Sequence, residues 1–416
     1  MDNKKVYIIG GGTIAHLSHH LAVAAPAYGS TARKLEVLSR KHLPTMDTIV
    51  YPTKMADSSS ALETPEDVDR IVTTIIEDTA TKIVFFNPAI VDFNGQIAGR
   101  EGSGKYAPRL SSRKEYDVHL VPRDKIISRI RNEKRNGIVR KDIFLVGFKA
   151  TCGLSEEAQY NEGLNMLKAS GCNLVLANDA KTRVNMVITP EEAAYHVTTD
   201  RDEALERLVE MAHLRSHLTF THSTVVSGEP VAWESSLVPA TLRTVVDYCI
   251  SRGAYKRFRG VTAGHFAIKL DDQTFLTSRR KTDFNDMKNV GLVKVKTDGP
   301  DSVVAYGSKP SVGGQSQRIV FGSHPEYDCI VHFHCPIREG SDVPQVSQRE
   351  FECGSHQCGE NTATGLKKFG DLSAVYLKQH GPNIVFHGSI DPQRVIDFIE
   401  EHFDLTAKTG GYAIAG

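Results

Sequence analysis

The chain has 416 residues, with 50 Lys and Arg set against 50 Asp and Glu, so its formal net charge is zero. That balance argues against bulk electrostatic attraction to nucleic acid or to an anionic membrane, and no apolar run reaches the length that crosses a bilayer. Seven scattered cysteines, an odd count, give no disulfide framework, and the first residues pass too quickly into a short strand for a signal peptide; a soluble, reduced, cytoplasmic protein of two ordinary domains or one large one is expected.

Val6-Tyr7-Ile8-Ile9 reads as a buried strand, and Gly10-Gly11-Gly12-Thr13 follows at once. Glycines after a first parallel strand let backbone N–H groups approach a phosphate, although Ala15 and His16 break the Gly-x-Gly-x-x-Gly spacing. His16, His19 and His20 read as a solvated loop or helix start. Strand patterns recur at 82–86, 142–148 and 173–179, with helical patterns at 64–79 and 156–170 between them. The alternation predicts a doubly wound, Rossmann-like α/β sheet. Polar residues at the carboxyl ends of its strands mark the ligand crevice.

A helical run at 198–214 is followed by 219–234, rich in Ser, Thr, Gly and Pro and holding the single tryptophan, Trp233; it reads as a linker. The next helix, 237–252, shows Leu242, Val245, Val246, Cys249 and Ile250 at helical spacing, with Gly253 as its cap. Then come 261–269, a hairpin through Asp271-Asp272 to 274–278, a strand at 292–295, and Pro310-Ser311-Val312-Gly313. Ile330-Val331-His332-Phe333-His334 and Lys378-Gln379-His380-Gly381 complete the series. Residues two apart in a strand face the same side, so His332 and His334 can grip one metal ion and His380 can complete the set. Three neutral imidazoles with an open fourth position suit catalytic zinc, and cobalt, manganese or iron are compatible. Cys353-Gly354-Ser355-His356-Gln357-Cys358 is a weaker candidate for a second site, without an evident fourth ligand. Asp391-Pro392 opens the last helix as N-cap and first residue, and the tail at 409–412 reads as loose or as a subunit contact.

Over about residues 4–200, the series Gly10–Thr13, Asn87–Phe93, Val146-Gly147-Phe148-Lys149-Ala150 and Ala177-Asn178-Asp179 resembles the phosphopantothenoylcysteine synthetase domain, of DNA/pantothenate metabolism flavoprotein type. That family activates a carboxylate with CTP or ATP and then forms an amide with cysteine. The resemblance implies CTP or ATP at Gly10, Gly11, Gly12, Thr13, Asn87, Asp92, Lys149, Asn178 and Asp179. The family's Asn-x-Ser-Ser-Gly-x-Met-Gly segment is absent here, and its basic loop has only a loose counterpart in Arg109, Arg113 and Lys114. The fold and a nucleotide or phosphate crevice therefore carry over, and the ligase reaction does not.

Over about residues 235–405 the motifs resemble the class II aldolase/adducin family. Its members cleave, rearrange or dehydrate small phosphorylated sugars on a three-histidine metal site, and adducin itself is non-catalytic. The resemblance implies His332, His334 and His380 as metal ligands. It also implies a substrate anion held by His265, Ser278, Arg279, Arg280 and Ser311. Two departures stand out: the family's catalytic Glu falls on Gly313, which cannot move a proton, and the phosphate loop has gained Arg279 and Arg280, whose guanidinium groups bind phosphate or carboxylate bidentately. His356, Gln315 and Glu360, with His265 and Glu350, are the candidates for the missing catalytic group.

The expected organisation is 1–215, a linker at 216–234, and a class II aldolase-like α/β/α domain at 235–416. The expected function is a metal-dependent lyase, of aldolase or dehydratase type, on a small phosphorylated or anionic sugar-like ketone. The alternatives are an adducin-like binding or assembly protein and a metal-dependent hydrolase or epimerase. A homo-oligomer of at least tetrameric size is expected, with no nucleic acid and no membrane among the partners.

Overall fold

Val6, Ile8, Ile9, Ile83, Phe85, Leu145, Val146, Leu174 and Val175 are all buried. Unbroken apolar runs of this kind belong to parallel strands covered by helices on both faces. The computed structural model describes residues 4–97, 104–135, 137–258, 261–349 and 352–407, with only the backbone at 135, 258, 261 and 312–315. The chain divides into two compact units after Ser216.

In the amino-terminal unit, strands β1 (Lys5–Ser18), β2 (Asp47–Pro52), β3 (Thr81–Ala89), β4 (Phe144–Thr151) and β5 (Leu174–Asp179) are parallel, in the order β2-β1-β3-β4-β5. Strands β6 (Asn185–Ile188) and β7 (Ala194–Thr198) extend the sheet antiparallel. Helices α1 (Ser30–His42), α2 (Pro65–Glu77), α3 (Glu156–Ser170) and α4 (Arg201–Arg215) accompany it. A reciprocal capping box between Thr64 and Asp67, with Pro65 in the first turn, starts α2. Ser155 caps the start of α3, and Gly171, at φ 66°, ends it. The strand order reverses between β1 and β3, the place where doubly wound sheets take ligands.

The glycines expected to follow the first strand lie within it. β1 runs straight on through Gly10, Gly11 and Gly12 to Ser18, then folds back on Leu21–Ala25. The glycines answer to packing: a side chain at Gly10 would strike Ala32, at Gly11 Thr53, and at Gly12 the carbonyl of Ala25. His19 and His20 lie exposed at the hairpin turn, whereas His16 sits in the strand, 3.5 Å from Glu63.

The carboxy-terminal unit contains β8 (His222–Val226), α5 (Ala240–Ser251), β9 (His265–Lys269), β10 (Thr274–Ser278), β11 (Leu292–Thr297), β12 (Ser302–Tyr306), α6 (Val312–Ser323), β13 (Cys329–His332), α7 (His356–Gly365), β14 (Leu372–Leu377), β15 (Gly381–Phe386) and α8 (Pro392–His402). The sheet runs β8-β12-β11-β10-β9-β13-β15-β14 with Gln345–Val346 beyond β14, antiparallel except for the β8–β12 pair and the pairing of Gln345–Val346 with β14. Alternation along β9 sends Phe266 and Ile268 to a core shared with Val245 of α5 and Ile399 of α8. Ala267 goes to the opposite face, with Val320 and Phe321 of α6. The sheet is thus sandwiched between helices.

The stretch 216–234, expected as a linker, is part of this unit. Thr224, Val225 and Val226 are β-branched and pair with β12 as an edge strand. Trp233 is buried with its ring 5.3 Å from that of Phe266. The Ser- and Pro-rich composition hid a short strand and one apolar anchor. The tail at 409–412 lies outside the described residues. Among the described residues no helix is long and apolar enough to cross a membrane.

Candidate metal centre

β13 delivers His332, and two residues on, the same alternation places His334 beside it. His380 comes from the tip of the β14–β15 hairpin, where Gln379 takes φ 61° and the His380 N–H donates to the Leu377 carbonyl at 3.0 Å. Two glycines allow this assembly. A side chain on Gly381, at φ 137°, would collide with the Phe333 carbonyl, and one on Gly264, at φ 124°, would meet the His332 carbonyl at 2.6 Å. The pairs His380-Gly381 and Gly264-His265 thus share one cause: the carbonyls of the His-x-His segment pass directly against them.

The rings of His332, His334 and His380 lie 4.7–4.9 Å apart between centroids, and one nitrogen from each falls within 4.8 Å of the other two. Their exposures are 1%, 4% and 1%. His332 Nδ1 donates to the Pro382 carbonyl at 2.7 Å, which leaves Nε2 as a lone pair; that atom is buried with no hydrogen-bond partner among the described residues. Such an atom is costly unless something satisfies it. Burial pushes the His332 imidazole down to about 4 and holds His380 well below the usual histidine range. Both rings are therefore neutral near pH 7, the form that ligates a metal. An imidazole anchored through its second nitrogen to a carbonyl is the usual arrangement of a metal-bound histidine. The donor set fits a borderline divalent ion such as zinc.

A fourth imidazole joins the group. His265 is the register partner of His332 across β9 and β13, and their ring centroids are 4.7 Å apart. Burial first, then His332 and His380, hold it well below the histidine range. It is thus a poor charged contact for a phosphate, the role its sequence position implies. Its Nδ1 is met by the side-chain nitrogen of Gln317 on α6. Gln317 escaped the sequence reading. The usable signal was its place one helical turn beyond Gly313, where the family's Glu is missing.

The anion-loop residues do come together. Ser311 N–H donates to the Ser278 carbonyl at 2.8 Å, Arg279 bridges to Pro310, and Arg280 Nε reaches the Pro310 carbonyl at 3.3 Å. Ser311 stands at the N-cap position of α6 without a side-chain capping bond, and the first-turn N–H groups of the helix favour an anion. Ser278 is buried, and its hydroxyl has no partner among the described residues. The side chain of Gln315, and Glu350 as a whole, lie outside the described residues.

His356 and Glu360 belong to a different polar group. His356 opens α7, with Nε2 at 3.2 Å from Thr221 Oγ1 and 3.1 Å from Arg318, and Nδ1 at 3.6 Å from Asp301. Burial, then Arg318, lowers its pKa. Glu360 is exposed one turn further along α7. The capped start of α7 fixes this direction, because the His356 N–H donates to the Thr219 carbonyl at 2.9 Å. The neighbouring thiol of Cys358 is buried against Gln348 at 3.3 Å, and among the described residues no metal-holding group forms around it.

In the amino-terminal unit, Gly10 stands beside Asn87 in register, Lys149 beside Ala177, and Asn178 beside Ala150, so the expected nucleotide residues do line the carboxyl ends of β1, β3, β4 and β5. Most are already engaged. Thr13 donates to the Ala89 carbonyl at 3.1 Å and accepts from the Val91 N–H at 2.9 Å; Asp92 pairs with Lys125, and Lys149 with Glu162 at 2.9 Å. Asp179 accepts from the N–H groups of Gly153, Leu154, Lys181 and Thr182 and from Thr151 Oγ1, at 2.8–3.1 Å, and these bonds hold it far below the carboxylate range. Asn87 and Asn178 are half-buried. Another cluster, His42 with Glu206 and Glu210, also has metal-like spacing, but Lys41 and Arg207 already pair with its carboxylates.

Residues 244–390 match the model of the Class II Aldolase and Adducin N-terminal domain. Among solved structures, the DNA/pantothenate metabolism flavoprotein from Streptococcus pneumoniae is 16% identical with a TM-score of 0.41, covering 51% of this chain and 99% of that one. The C-terminal domain of the coenzyme A biosynthesis bifunctional protein CoaBC is 13% identical with a TM-score of 0.38, covering 52% and 97%. L-fuculose 1-phosphate aldolase is 18% identical with a TM-score of 0.30, covering 40% and 83%. Comparison with curated proteins gave no match. The amino-terminal half resembles the phosphopantothenoylcysteine synthetase domain and the carboxy-terminal half the class II aldolase/adducin family, each an α/β fold.

Proposed function

We propose that the class II aldolase-like unit is a metal-dependent lyase, of aldolase or dehydratase type, acting on a small phosphorylated or otherwise anionic sugar-like ketone. The observation that carries this reading is the buried set His332, His334 and His380, with three nitrogens within 4.8 Å of one another. These three imidazoles would hold a divalent ion, zinc first among candidates, which would supply Lewis-acid chemistry. The chain's own groups bind and orient the substrate. Ser278 offers an uncommitted hydroxyl, the start of α6 after Ser311 offers N–H groups, and Arg279 and Arg280 add positive charge for the anionic end. We further propose CTP or ATP at the amino-terminal unit, through Asn87 and Asn178 at the strand ends, and a cytoplasmic homo-oligomer of at least four chains.

The test is metal content by elemental analysis on protein purified without chelator, beside a His332→Ala/His334→Ala variant, followed by a screen of phosphorylated ketoses for aldehyde release or dehydration. About one zinc per chain, lost in the variant, with turnover of one such ketose, is the expected result. Metal without turnover of any ketose would favour the hydrolase or epimerase alternative. A protein that takes up no metal when zinc is supplied would favour the second reading, a binding or assembly protein, to which Gly313 in place of the catalytic Glu already points.

A further inference from the structure

The histidine cluster contains one imidazole more than the metal set uses. His265 packs on His332 at 4.7 Å between centroids, yet the metal-like group formed there among the described residues comprises His332, His334 and His380. Its Nδ1 is engaged instead by the amide nitrogen of Gln317, which is 2% exposed. A neutral imidazole has one lone pair and one N–H. An amide N–H donating to Nδ1 consumes the lone pair, so the proton sits on Nε2. The amide is oriented with Nε2 toward the imidazole, and Gln317 Oε1 is left buried without a partner among the described residues. His265 so held can ligate through neither nitrogen.

We propose that His265 is a fixed N–H donor to an oxygen of the ligand bound at the three-histidine site, and that Gln317 is the positioning residue that sets its tautomer. This rests on the metal-dependent reading above. It narrows the ligand class to molecules that carry or develop an oxyanion beside the ion, such as an enolate or a deprotonated hydroxyl, because a donor aimed at developing charge is strongest there. His265 then stabilises charge and does not replace the proton-moving carboxylate absent at Gly313. Gln317 reaches it from the same helix, one turn beyond that glycine.

The experiment uses the full-length protein, loaded with zinc for nitrogen-15 NMR of its histidines and with cobalt for absorption spectra, and acetohydroxamate as an oxyanion probe. In the wild type, His265 is expected as the Nε2–H tautomer. His265→Ala should keep about one metal per chain and bind acetohydroxamate about 10-fold more weakly, the loss of one charge-assisted hydrogen bond. Gln317→Glu should move the His265 proton to Nδ1, weaken the probe similarly, and change the cobalt spectrum by freeing a lone pair at Nε2. A purely structural Gln317 would leave tautomer and spectrum alone. Loss of metal in His265→Ala would make His265 a ligand and overturn the inference while leaving the metal reading intact. An unchanged probe affinity in that variant would also overturn it. Should His265→Ala not fold, an Nδ1–H tautomer in the wild type suffices to overturn it. Absence of metal from the zinc-supplied wild type would instead remove the reading on which the inference stands.

Discussion

The two units carry glycine-rich strand ends of similar appearance, and they differ in how many polar atoms they leave for a ligand. In both, the glycines exist because the chain approaches itself: Ala32, Thr53 and the Ala25 carbonyl crowd Gly10, Gly11 and Gly12, and the carbonyls of His332 and Phe333 crowd Gly264 and Gly381. Around the first group, Thr13, Asp92, Lys149 and Asp179 each have a partner, and Thr53 Oγ1, against Gly11, is buried without one among the described residues. Around the second, His332 Nε2, Ser278 Oγ and Gln317 Oε1 are buried without hydrogen-bond partners among the described residues. A buried polar atom left over is a stronger pointer to a ligand than a glycine motif, because leaving it so costs free energy unless something binds.

The largest expected effect tests that contrast directly. Zinc at about a thousand times its dissociation constant should stabilise the carboxy-terminal unit by roughly 4 kcal/mol through mass action, and leave the amino-terminal unit where it was. Calorimetry with zinc and with a chelator reads both. A zinc shift that survives His332→Ala/His334→Ala would place the ion elsewhere and break the comparison.

Next comes Gly381→Ala. The residue sits at φ 137° against the Phe333 carbonyl, so a methyl group there forces the hairpin tip and His380 away from the other imidazoles. Strain plus displacement should cost on the order of 3 kcal/mol in the carboxy-terminal unit and abolish zinc uptake. Gly10→Ala, packed on Ala32, should destabilise only the amino-terminal unit, with zinc content unchanged. Zinc uptake at wild-type level in Gly381→Ala would show that His380 is dispensable to the site.

A smaller effect separates the units by pH. His196 in the amino-terminal unit is pushed down to about 4 by burial first and by Arg207 second. Its folded pKa lies below its unfolded value of about 6.5, so the unfolded chain binds the proton first as the solution is acidified. The stability it contributes is whole above that unfolded value and is lost as pH falls toward 4. The loss is roughly 2 kcal/mol. His196→Asn, suited to the φ of 55° at this position, should flatten the acid dependence of the amino-terminal transition whether or not zinc is present. Thermal scans between neutral and mildly acidic pH check it, and an unaltered slope in the variant would remove His196 as the cause.

The three-histidine cluster was legible in the sequence because a period of two in a β-strand fixes which side chains share a face, and because a later His-Gly segment could bring in the third imidazole. The alternation of apolar strands and capped helices likewise made both α/β units readable. The rest failed for physical reasons. A glycine run looks the same whether it cradles a phosphate or packs on Ala32. The strand His222–Val226 is short, lies at a sheet edge, and is flanked by Gly228 and Pro230, so composition outweighed its β-branched residues. Gln317 and His265 are 52 residues apart, and their contact exists only once α6 lies on β9. His356 faces Arg318 and Asp301 because of how α7 begins, which no local pattern encodes.

The smallest effect decides whether the amino-terminal unit keeps a ligand site in spite of its satisfied groups. Lys149 and Glu162 are both partly exposed, at 34% and 48%, so their ion pair at 2.9 Å is a surface pair worth at most about 1 kcal/mol. Lys149→Met should therefore barely move the amino-terminal transition. Thr13→Val is the matched contrast: the hydroxyl is buried and bonded to Ala89 and Val91, and its loss should cost about 1–2 kcal/mol without touching any exposed group. If a nucleotide phosphate sits at these strand ends, the order inverts in a binding experiment. CTP or ATP titrated into the full chain should then lose about 10-fold in affinity in Lys149→Met, where a charge-assisted contact disappears, and little in Thr13→Val. Equal affinities in the two variants would mean that Lys149 serves Glu162 alone, and that the ends of β1, β3, β4 and β5 are as self-contained as their hydrogen bonds make them look.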